Sequence, residues 1–76
     1  MYEILMRLKI MRNDKIYEVY LDERLSFSEN FVLLNELINE HLIDVKVYDP
    51  IKKLFLNTEI ALKEFNIESF RLFYLF

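Results

Sequence analysis

The side chains that could act as catalysts or metal ligands are few in this sequence. There is one histidine, His41, and there is no cysteine. Thiol catalysis and thiolate metal sites are therefore excluded, and a histidine-rich metal site cannot form. A serine hydrolase would need His41 beside Ser26, Ser28 or Ser69, and no spacing supports such a set. We expect His41 instead to lie at the end of a helix, where an imidazolium interacts favourably with the helix dipole.

Two carboxylates, Glu36 and Glu40, are four residues apart and would share one face of a helix. Such a pair can hold a cation or do acid–base work. On a solvated face it adds only a repulsion of about 0.2–0.5 kcal/mol, and we favour this interpretation. The absence of glycine excludes glycine-rich phosphate loops. The sequence therefore predicts a protein that is not an enzyme and has no metal and no cofactor.

Charge is segregated along the chain. Residues 25–45 contain Glu29, Glu36, Glu40 and Asp44 but no Lys or Arg, so the remaining residues carry nine of the 13 acids and all ten bases. An acidic helix opposite a neutral to basic sheet would attract a partner of complementary charge. The alternative is that this uneven distribution of charge arises by chance in a short chain. The net charge of −3 and the lack of a basic cluster argue against nucleic-acid binding.

Length and composition predict one small domain covering residues 1–76. The chain is 54% hydrophobic, with seven Phe and five Tyr, so its core is dense or part of this apolar surface is buried by a partner.

No apolar run reaches the roughly 18 residues that a membrane span requires. Glu3, Arg7 and Lys9 interrupt the N-terminus, so we expect no signal peptide. A cytoplasmic protein without membrane insertion follows.

The N-terminal region alternates with a period of two, which predicts strands. A first strand from Tyr2 to Arg12 would place one apolar set on a single side, namely Ile4, Met6, Leu8 and Ile10. Asn13-Asp14 tolerates the positive φ of a tight turn. Without glycine, we expect the turns to use Asn or Asp. A second strand follows, in which Tyr17, Val19 and Leu21 share a side, and the two strands form an antiparallel hairpin.

The period then changes to that of a helix. Ser26 and Glu29 fit a capping box, and a helix from Phe27 to Glu40 would place an apolar stripe on the sheet. That stripe consists of Phe27, Phe31, Leu34, Ile38 and His41, widened by Leu37. Val32 and Leu33 lie off its centre and are expected to be partly exposed.

The C-terminal part predicts short strands. Val45–Tyr48 forms a third strand ended by Asp49-Pro50, and Leu54–Leu56 forms a very short fourth. Asn57 and Thr58 would cap a short helix that carries Ile60, Leu62 and Phe65. The last strand is Phe70–Phe76. We place Leu72, Tyr74 and Phe76 inward, because Arg71 then faces water; the opposite parity is also possible, and a one-residue shift would reverse every assignment.

This order of elements resembles ubiquitin over the whole chain. The run Leu62-Lys63-Glu64-Phe65-Asn66-Ile67 is similar to the Leu-x-x-Tyr-x-Ile run before the last strand of ubiquitin. Among bacterial proteins, the chain resembles the small YukD-like accessory proteins of Gram-positive type VII secretion systems. The resemblance implies an α+β, β-grasp fold with a mixed sheet of four to five strands and one main helix. The chain lacks the terminal Gly-Gly of conjugated relatives and ends Tyr74-Leu75-Phe76, so we expect neither conjugation nor sulfur transfer.

In such a fold the sheet surface opposite the helix is the candidate binding site, as it is in ubiquitin. Mixed apolar, aromatic and basic residues are typical of binding hot spots. The predicted protein-binding residues are Leu5, Arg7, Lys9, Lys46, Tyr48, Arg71 and Phe73. The resemblance implies protein partners, including secretion-machine components. Two alternatives stay open, namely incidental exposure of these residues and a homo-oligomeric (for example homodimeric) assembly protein that buries its aromatic sheet surface against another copy.

Overall fold

The predicted N-terminal hairpin is present. The computed structural model describes residues 5–76, so the Tyr2–Ile4 part of the predicted first strand lies outside it. Strand β1 covers Leu5–Arg12 and pairs antiparallel with β2, Lys15–Asp22. Asn13 and Asp14 connect them with φ values of 52° and 63°, which match the two left-handed residues of a type I′ hairpin turn.

Helix α1 covers Phe27–Ile38 and begins at the predicted capping box. The Ser26 hydroxyl accepts a hydrogen bond from the Glu29 amide, and the Glu29 carboxylate accepts one from the Ser26 amide, both at 3.1 Å. Two amides at the helix start are thereby satisfied. The helix ends before the predicted Glu40, because Asn39 adopts a left-handed conformation (φ 60°) and caps it.

A buried amide side chain joins the helix to the hairpin. Asn30 Oδ1 accepts a hydrogen bond from the Asp22 amide at 3.0 Å. Its Nδ2 donates to the carbonyl oxygens of Asp22 at 3.1 Å and Ser26 at 2.9 Å. These bonds hold the first turn of α1 against the end of β2.

The remaining strands complete a mixed five-stranded sheet in the order β2-β1-β5-β3-β4. Strand β3 is Val47–Asp49, β4 is Leu54–Leu56 and β5 is Arg71–Leu75. Strands β1 and β5 run parallel, and the other neighbours are antiparallel. This is the predicted β-grasp arrangement, with a central β1 flanked by the second and last strands. Strand β3 starts at Val47 rather than at the predicted Val45.

The core lies between α1 and one face of the sheet. Both strands of the hairpin contribute the predicted inward side, and α1 contributes four residues of the predicted apolar stripe, Phe27, Phe31, Leu34 and Ile38. The buried apolar residues are Leu8, Ile10, Val19, Leu21, Phe27, Phe31, Leu34, Ile38, Leu42, Val45, Val47, Leu62, Phe73 and Leu75. The Phe27 and Phe73 rings meet edge to face with centroids 5.7 Å apart, an arrangement that aromatic pairs favour.

The predicted parity of the last strand was wrong. Phe73 and Leu75 point into the core, so Leu72, Tyr74 and the following Phe76 lie on the other side of the sheet. Arg71 therefore has the inward parity and does not face water. A charged residue is tolerated there because it forms an ion pair with Asp49 of β3.

Two details of the helices also differ from the prediction. Leu37 and His41 do not extend the buried stripe and are exposed, since the helix ends at Ile38 and the chain turns at Asn39. The short helix is a 3₁₀-helix over Leu62–Phe65, and no side chain caps it. The Asn57 side chain instead accepts a hydrogen bond from the Glu59 amide at 2.9 Å. It therefore stabilises the turn that precedes the 3₁₀-helix.

Seven of the residues in the described range adopt positive φ. Five are Asn or Asp, namely Asn13, Asp14, Asn39, Asp44 and Asn66, as expected for a chain without glycine. The exceptions are Lys53, with φ 56°, and Phe70, with φ 65°. The left-handed conformation costs an ordinary residue about 1–2 kcal/mol, so Phe70 is a strained position immediately before β5.

Candidate protein-binding surface

The sheet surface opposite α1, called the outer face below, is formed by alternate residues of the five strands and by residues that directly adjoin them, such as Lys46, Phe70 and Phe76. Among the predicted binding residues, five lie on it: Leu5, Arg7, Lys9, Lys46 and Tyr48. Leu5, Arg7, Lys9 and Lys46 are exposed, and Tyr48 is half-buried between its neighbours. The sequence located these residues correctly because the parities of β1 and β3 were correctly predicted.

Two predicted binding residues are not on the outer face. Phe73 is 0% exposed and lies in the core. The Arg71 side chain is 16% exposed and forms an ion pair with the Asp49 carboxylate, which is 3% exposed. Both were misplaced for one reason, the inverted parity of β5. Neither side chain is available to a partner in this arrangement.

The Asp49 carboxylate is held by three donors. It accepts hydrogen bonds from Arg71 Nη2 and from the amides of Ile51 and Lys52, the last two at 2.9 Å and 3.2 Å. Burial raises the pKa of Asp49, but the hydrogen bonds from Arg71, Lys52 and Ile51 and the Arg71 charge outweigh it and hold the pKa below its ordinary value. Asp49 and Arg71 are thus part of the scaffold that joins β3 to β5.

Four rings, from β3, β4, β5 and the residue that follows β5, form one cluster on the outer face. This aromatic cluster consists of Tyr48, Phe55, Tyr74 and Phe76. Tyr48 is central, with centroid distances of 5.0 Å to Phe55, 6.2 Å to Tyr74 and 6.3 Å to Phe76. Phe76 also contacts Phe55 at 6.2 Å and Tyr74 at 6.3 Å. Phe55 and Phe76 are 55% and 61% exposed, so the cluster is available for binding.

A second group surrounds a cation on the same face. The Arg7 guanidinium lies 5.6 Å from the ring centroid of Tyr20 and 5.7 Å from that of Phe70. We call these three residues the arginine stack. The Phe70 amide donates to the Arg7 carbonyl oxygen at 2.7 Å, so the strained backbone of Phe70 places its ring beside Arg7. No acidic side chain within residues 5–76 forms a salt bridge with Arg7.

The apolar part of the outer face is continuous across the sheet. The strand registers align one residue from each strand in a single row: Ile16, Met11, Tyr74, Tyr48 and Phe55. Lys46 flanks this row, with Nζ 6.0 Å from the Phe55 centroid. The strands of this face and the adjoining Lys46 carry three cations, Arg7, Lys9 and Lys46, against Glu18 and the salt-bridged Asp22. An aromatic surface with a basic rim suits an apolar partner with acidic edges.

Several residues of this surface were not among those predicted from the sequence. They are Ile16, Met11, Tyr20, Phe55, Phe70, Tyr74 and Phe76. The period-two pattern of β2 already indicated that Tyr20 faces away from the core. Tyr74 and Phe76 required the correct parity of β5. Phe55 required the β3–β4 pairing that places it opposite Tyr48.

An open groove of about 610 Å³ adjoins the aromatic cluster. It lies between the β1–β2 turn and the end of β5, and Met11, Tyr74 and Phe76 contribute to its walls. Arg12 also lines it, but its guanidinium contacts the Glu40 carboxylate at 3.5 Å. The groove thus extends the apolar surface of the cluster.

The other candidate chemical groups are dispersed. The Ser26 hydroxyl serves the helix cap, and Ser28 donates a hydrogen bond to Glu59 at 3.0 Å. Glu36 is exposed, as expected. Glu40 lies beyond the end of the helix and contacts Arg12, so the two carboxylates do not share one helix face. Within residues 5–76, no three His, Cys, Asp or Glu side chains come together as a metal site. No helix in the same range has the length and apolar character that crossing a membrane requires.

Known proteins resemble this chain in structure rather than in sequence. No protein-family model and no curated protein matches it. A chain from a study of molecular mimicry of SUMO that promotes DNA repair superposes with a TM-score of 0.83 at 5% identity, over 100% of this chain and 95% of that one. The ubiquitin-like domain of yeast Ddi1 gives 0.66 at 19% identity, over 99% and 91%. The ubiquitin-like domain of the Mycobacterium tuberculosis type VII secretion protein ECCD1 gives 0.65 at 13% identity, over 93% and 96%.

The chain therefore has the ubiquitin-like β-grasp fold. Its structural neighbours are ubiquitin-like domains, and one of them belongs to a type VII secretion protein. At these identities the likeness concerns the fold alone. The resemblance to the YukD-like proteins stays a prediction.

Proposed function

We propose that this protein is a non-enzymatic binding module that recognises another protein through the outer face. The observation that carries this proposal is the row of apolar and aromatic residues that crosses all five strands, from Ile16 on β2 to Phe55 on β4. Exposed apolar patches of this kind mark interaction sites. Aromatic and Arg residues are also the side chains most often found in hot spots.

The chemistry of the surface indicates the chemistry of the partner. The aromatic cluster offers rigid rings that can be covered at little cost in side-chain entropy. Lys46 lies beside it, and Arg7 and Lys9 add positive charge on the same face along β1. We therefore expect a partner segment with an apolar centre and acidic residues at its edges. Such charges mainly accelerate association and select the partner, while the buried rings supply most of the affinity.

We further propose that the module is a cytoplasmic accessory or regulatory component of a bacterial type VII secretion system. Two observations support this pathway. The sequence resembles the YukD-like proteins, and the fold matches the ubiquitin-like domain of ECCD1 over 93% of the chain. The partner would then be a component of the secretion machine. A gene neighbouring a type VII membrane ATPase in the source genome would add independent support, and its absence would argue for another pathway.

The binding surface can be tested with matched variants. Partners are captured from a lysate of the source organism, identified, purified and titrated by calorimetry. Phe55→Ser and Phe76→Ser each remove an exposed ring of the aromatic cluster. Because a hot-spot side chain contributes about 2 kcal/mol or more, we expect each substitution to weaken binding about 30-fold. The control is Ile51→Ser, which removes a 69% exposed apolar side chain in the β3–β4 turn, off the outer face.

The outcomes separate the parts of the proposal. Unchanged affinity in both Phe variants, or an equal loss in Ile51→Ser, would rule out the outer face as the binding site. Loss of binding confined to the Phe variants supports it. If the purified partner is unrelated to secretion, the binding surface stands and the type VII role is rejected.

A further inference from the structure

The molecule carries a second exposed apolar surface, on the side opposite the outer face. The solvent side of α1 presents three aliphatic side chains among acidic ones. We call this surface, formed by Glu29, Val32, Leu33, Glu36 and Leu37, the helix face. All five residues are exposed. Capping and core packing account for Ser26, Asn30 and the buried stripe, but they do not require aliphatic residues on the solvent side of the helix.

The two surfaces have opposite charge. The helix face carries Glu29 and Glu36, and residues 25–45 contain no Lys or Arg. The outer face carries Arg7, Lys9 and Lys46 against Glu18 and Asp22, and Asp22 is already paired with Arg24 at 2.8 Å. Each surface thus combines apolar side chains with a charge that complements the other surface. Such complementarity selects the orientation of association.

We propose that copies of this protein associate head to tail, with the helix face of one copy seated on the outer face of the next. The aliphatic side chains Val32, Leu33 and Leu37 would cover the aromatic cluster. Glu29 and Glu36 would lie near the cations of the outer face. Because the two contacting surfaces differ, an assembly of any length has one free helix face at one end and one free outer face at the other. The result is a chain of subunits whose length increases with protein concentration.

Charge disfavours the symmetric alternatives. A two-fold contact between outer faces would bring Arg7, Lys9 and Lys46 of both copies together, and a two-fold contact between helix faces would do the same with Glu29 and Glu36. Like charges brought together at an interface oppose association. The head-to-tail arrangement places the acidic helix face against the face with an excess of cations, and apolar surface against apolar surface. This assembly also occupies the outer face, so it would compete with the partner in the proposed function.

A mixing experiment tests the orientation directly. A helix-blocked variant carries Val32→Lys and Glu36→Lys, and a sheet-blocked variant carries Arg7→Glu and Lys46→Glu. All four side chains are exposed, and circular dichroism and thermal melting confirm the fold of each variant. The control for charge reversal is Lys52→Glu with Lys63→Glu, at two exposed lysines outside both faces. Mass is measured by sedimentation equilibrium from micromolar to millimolar protein.

We expect the unmodified protein and the control to increase in average mass with concentration. Each blocked variant alone should stay monomeric, with its association constant at least about tenfold lower, since it retains only one functional surface. An equimolar mixture should associate again, because the helix face of the sheet-blocked copy is intact and docks on the outer face of the helix-blocked copy. Raising salt from 0.1 M to 1 M shortens the Debye length from about 10 Å to about 3 Å and should weaken association.

Three results would overturn the inference: an unmodified protein that stays monomeric at millimolar concentration, a blocked variant that still self-associates, or a mixture that stays monomeric. Partner capture distinguishes this inference from the proposed function. The helix-blocked variant should bind the purified partner normally, because its outer face is intact. If it does so while no self-association is found, only the head-to-tail inference is rejected.

Discussion

Replacing Arg71 by Met tests the role of the buried ion pair. The Arg71 guanidinium donates to an Asp49 carboxylate that is 3% exposed. Removing one member of a buried pair costs about 3–5 kcal/mol, because the other charge is left uncompensated. Two backbone amides still reach Asp49, and Arg71 is itself 16% exposed. We therefore expect the lower end, about 3 kcal/mol.

A loss of this size is large for a chain of 76 residues, whose total stability is expected to be about 4–11 kcal/mol. The free energy of unfolding is measured by urea titration followed by circular dichroism, and Tm should fall by roughly 12–24 °C. The control is Arg24→Met, in which the ion pair with Asp22 lies at the surface and its loss should change stability little. If Arg71→Met lowers stability no more than Arg24→Met, the reasoning is wrong.

The pH dependence provides a second measurement on the same pair. Although burial raises the pKa of Asp49, its hydrogen bonds to Arg71, Lys52 and Ile51 hold the pKa below the ordinary 3.8. The unfolded chain therefore binds more protons at this site, and stability rises with pH in that range. The contribution is fully present above about pH 4 and is lost as pH falls through the folded pKa. The stability difference between the unmodified protein and Arg71→Met should therefore narrow in acid, and a constant difference would contradict this assignment.

Three further substitutions test local features, each by urea titration. Ser26→Ala removes the capping hydroxyl and should cost about 1 kcal/mol, whereas no loss would mean that the capping box is dispensable. Asn30→Leu leaves buried backbone groups of Asp22 unpaired and should cost about 2–3 kcal/mol; a neutral result would show that water replaces the amide. Phe70→Asn relieves the left-handed strain at φ 65° but loses the contact with Arg7, so stability should change by less than about 1 kcal/mol while partner binding weakens. A large loss of stability would show that Phe70 is a packing residue.

The hairpin and the helix start were predictable from local sequence. The alternation in β1 and β2 separates Leu8 and Ile10 from Arg7 and Lys9, and only one side can meet an apolar core. Asn13-Asp14 identified the turn, and the spacing of Ser26 and Glu29 identified the first turn of α1. In each case the interacting groups are within a few residues of each other, so the sequence pattern contains the whole interaction.

The candidate surface was only partly predictable for the opposite reason. Phe55, Tyr74 and Phe76 are each unremarkable in sequence and become one aromatic cluster only when β4, β3 and β5 pair. The position of Phe70 beside Arg7 depends on a left-handed backbone, which composition does not reveal for a bulky residue. The buried amide of Asn30 likewise has its main partner, Asp22, on another element.

The sequence alone determined the order of the elements, the inward side of the hairpin, the Asn13-Asp14 turn and the start of α1. Hydrophobic period and capping depend on residues that are near neighbours in the chain. Tertiary structure decided the parity of β5 and hence which residues form the binding surface. The alternation of Arg71–Phe76 permits either side to be inward. In the structure Phe73 and Leu75 pack in the core. Arg71 shares their parity and is neutralised by Asp49, which lies 22 residues before it in the chain and reaches it only when β3 and β5 are adjacent.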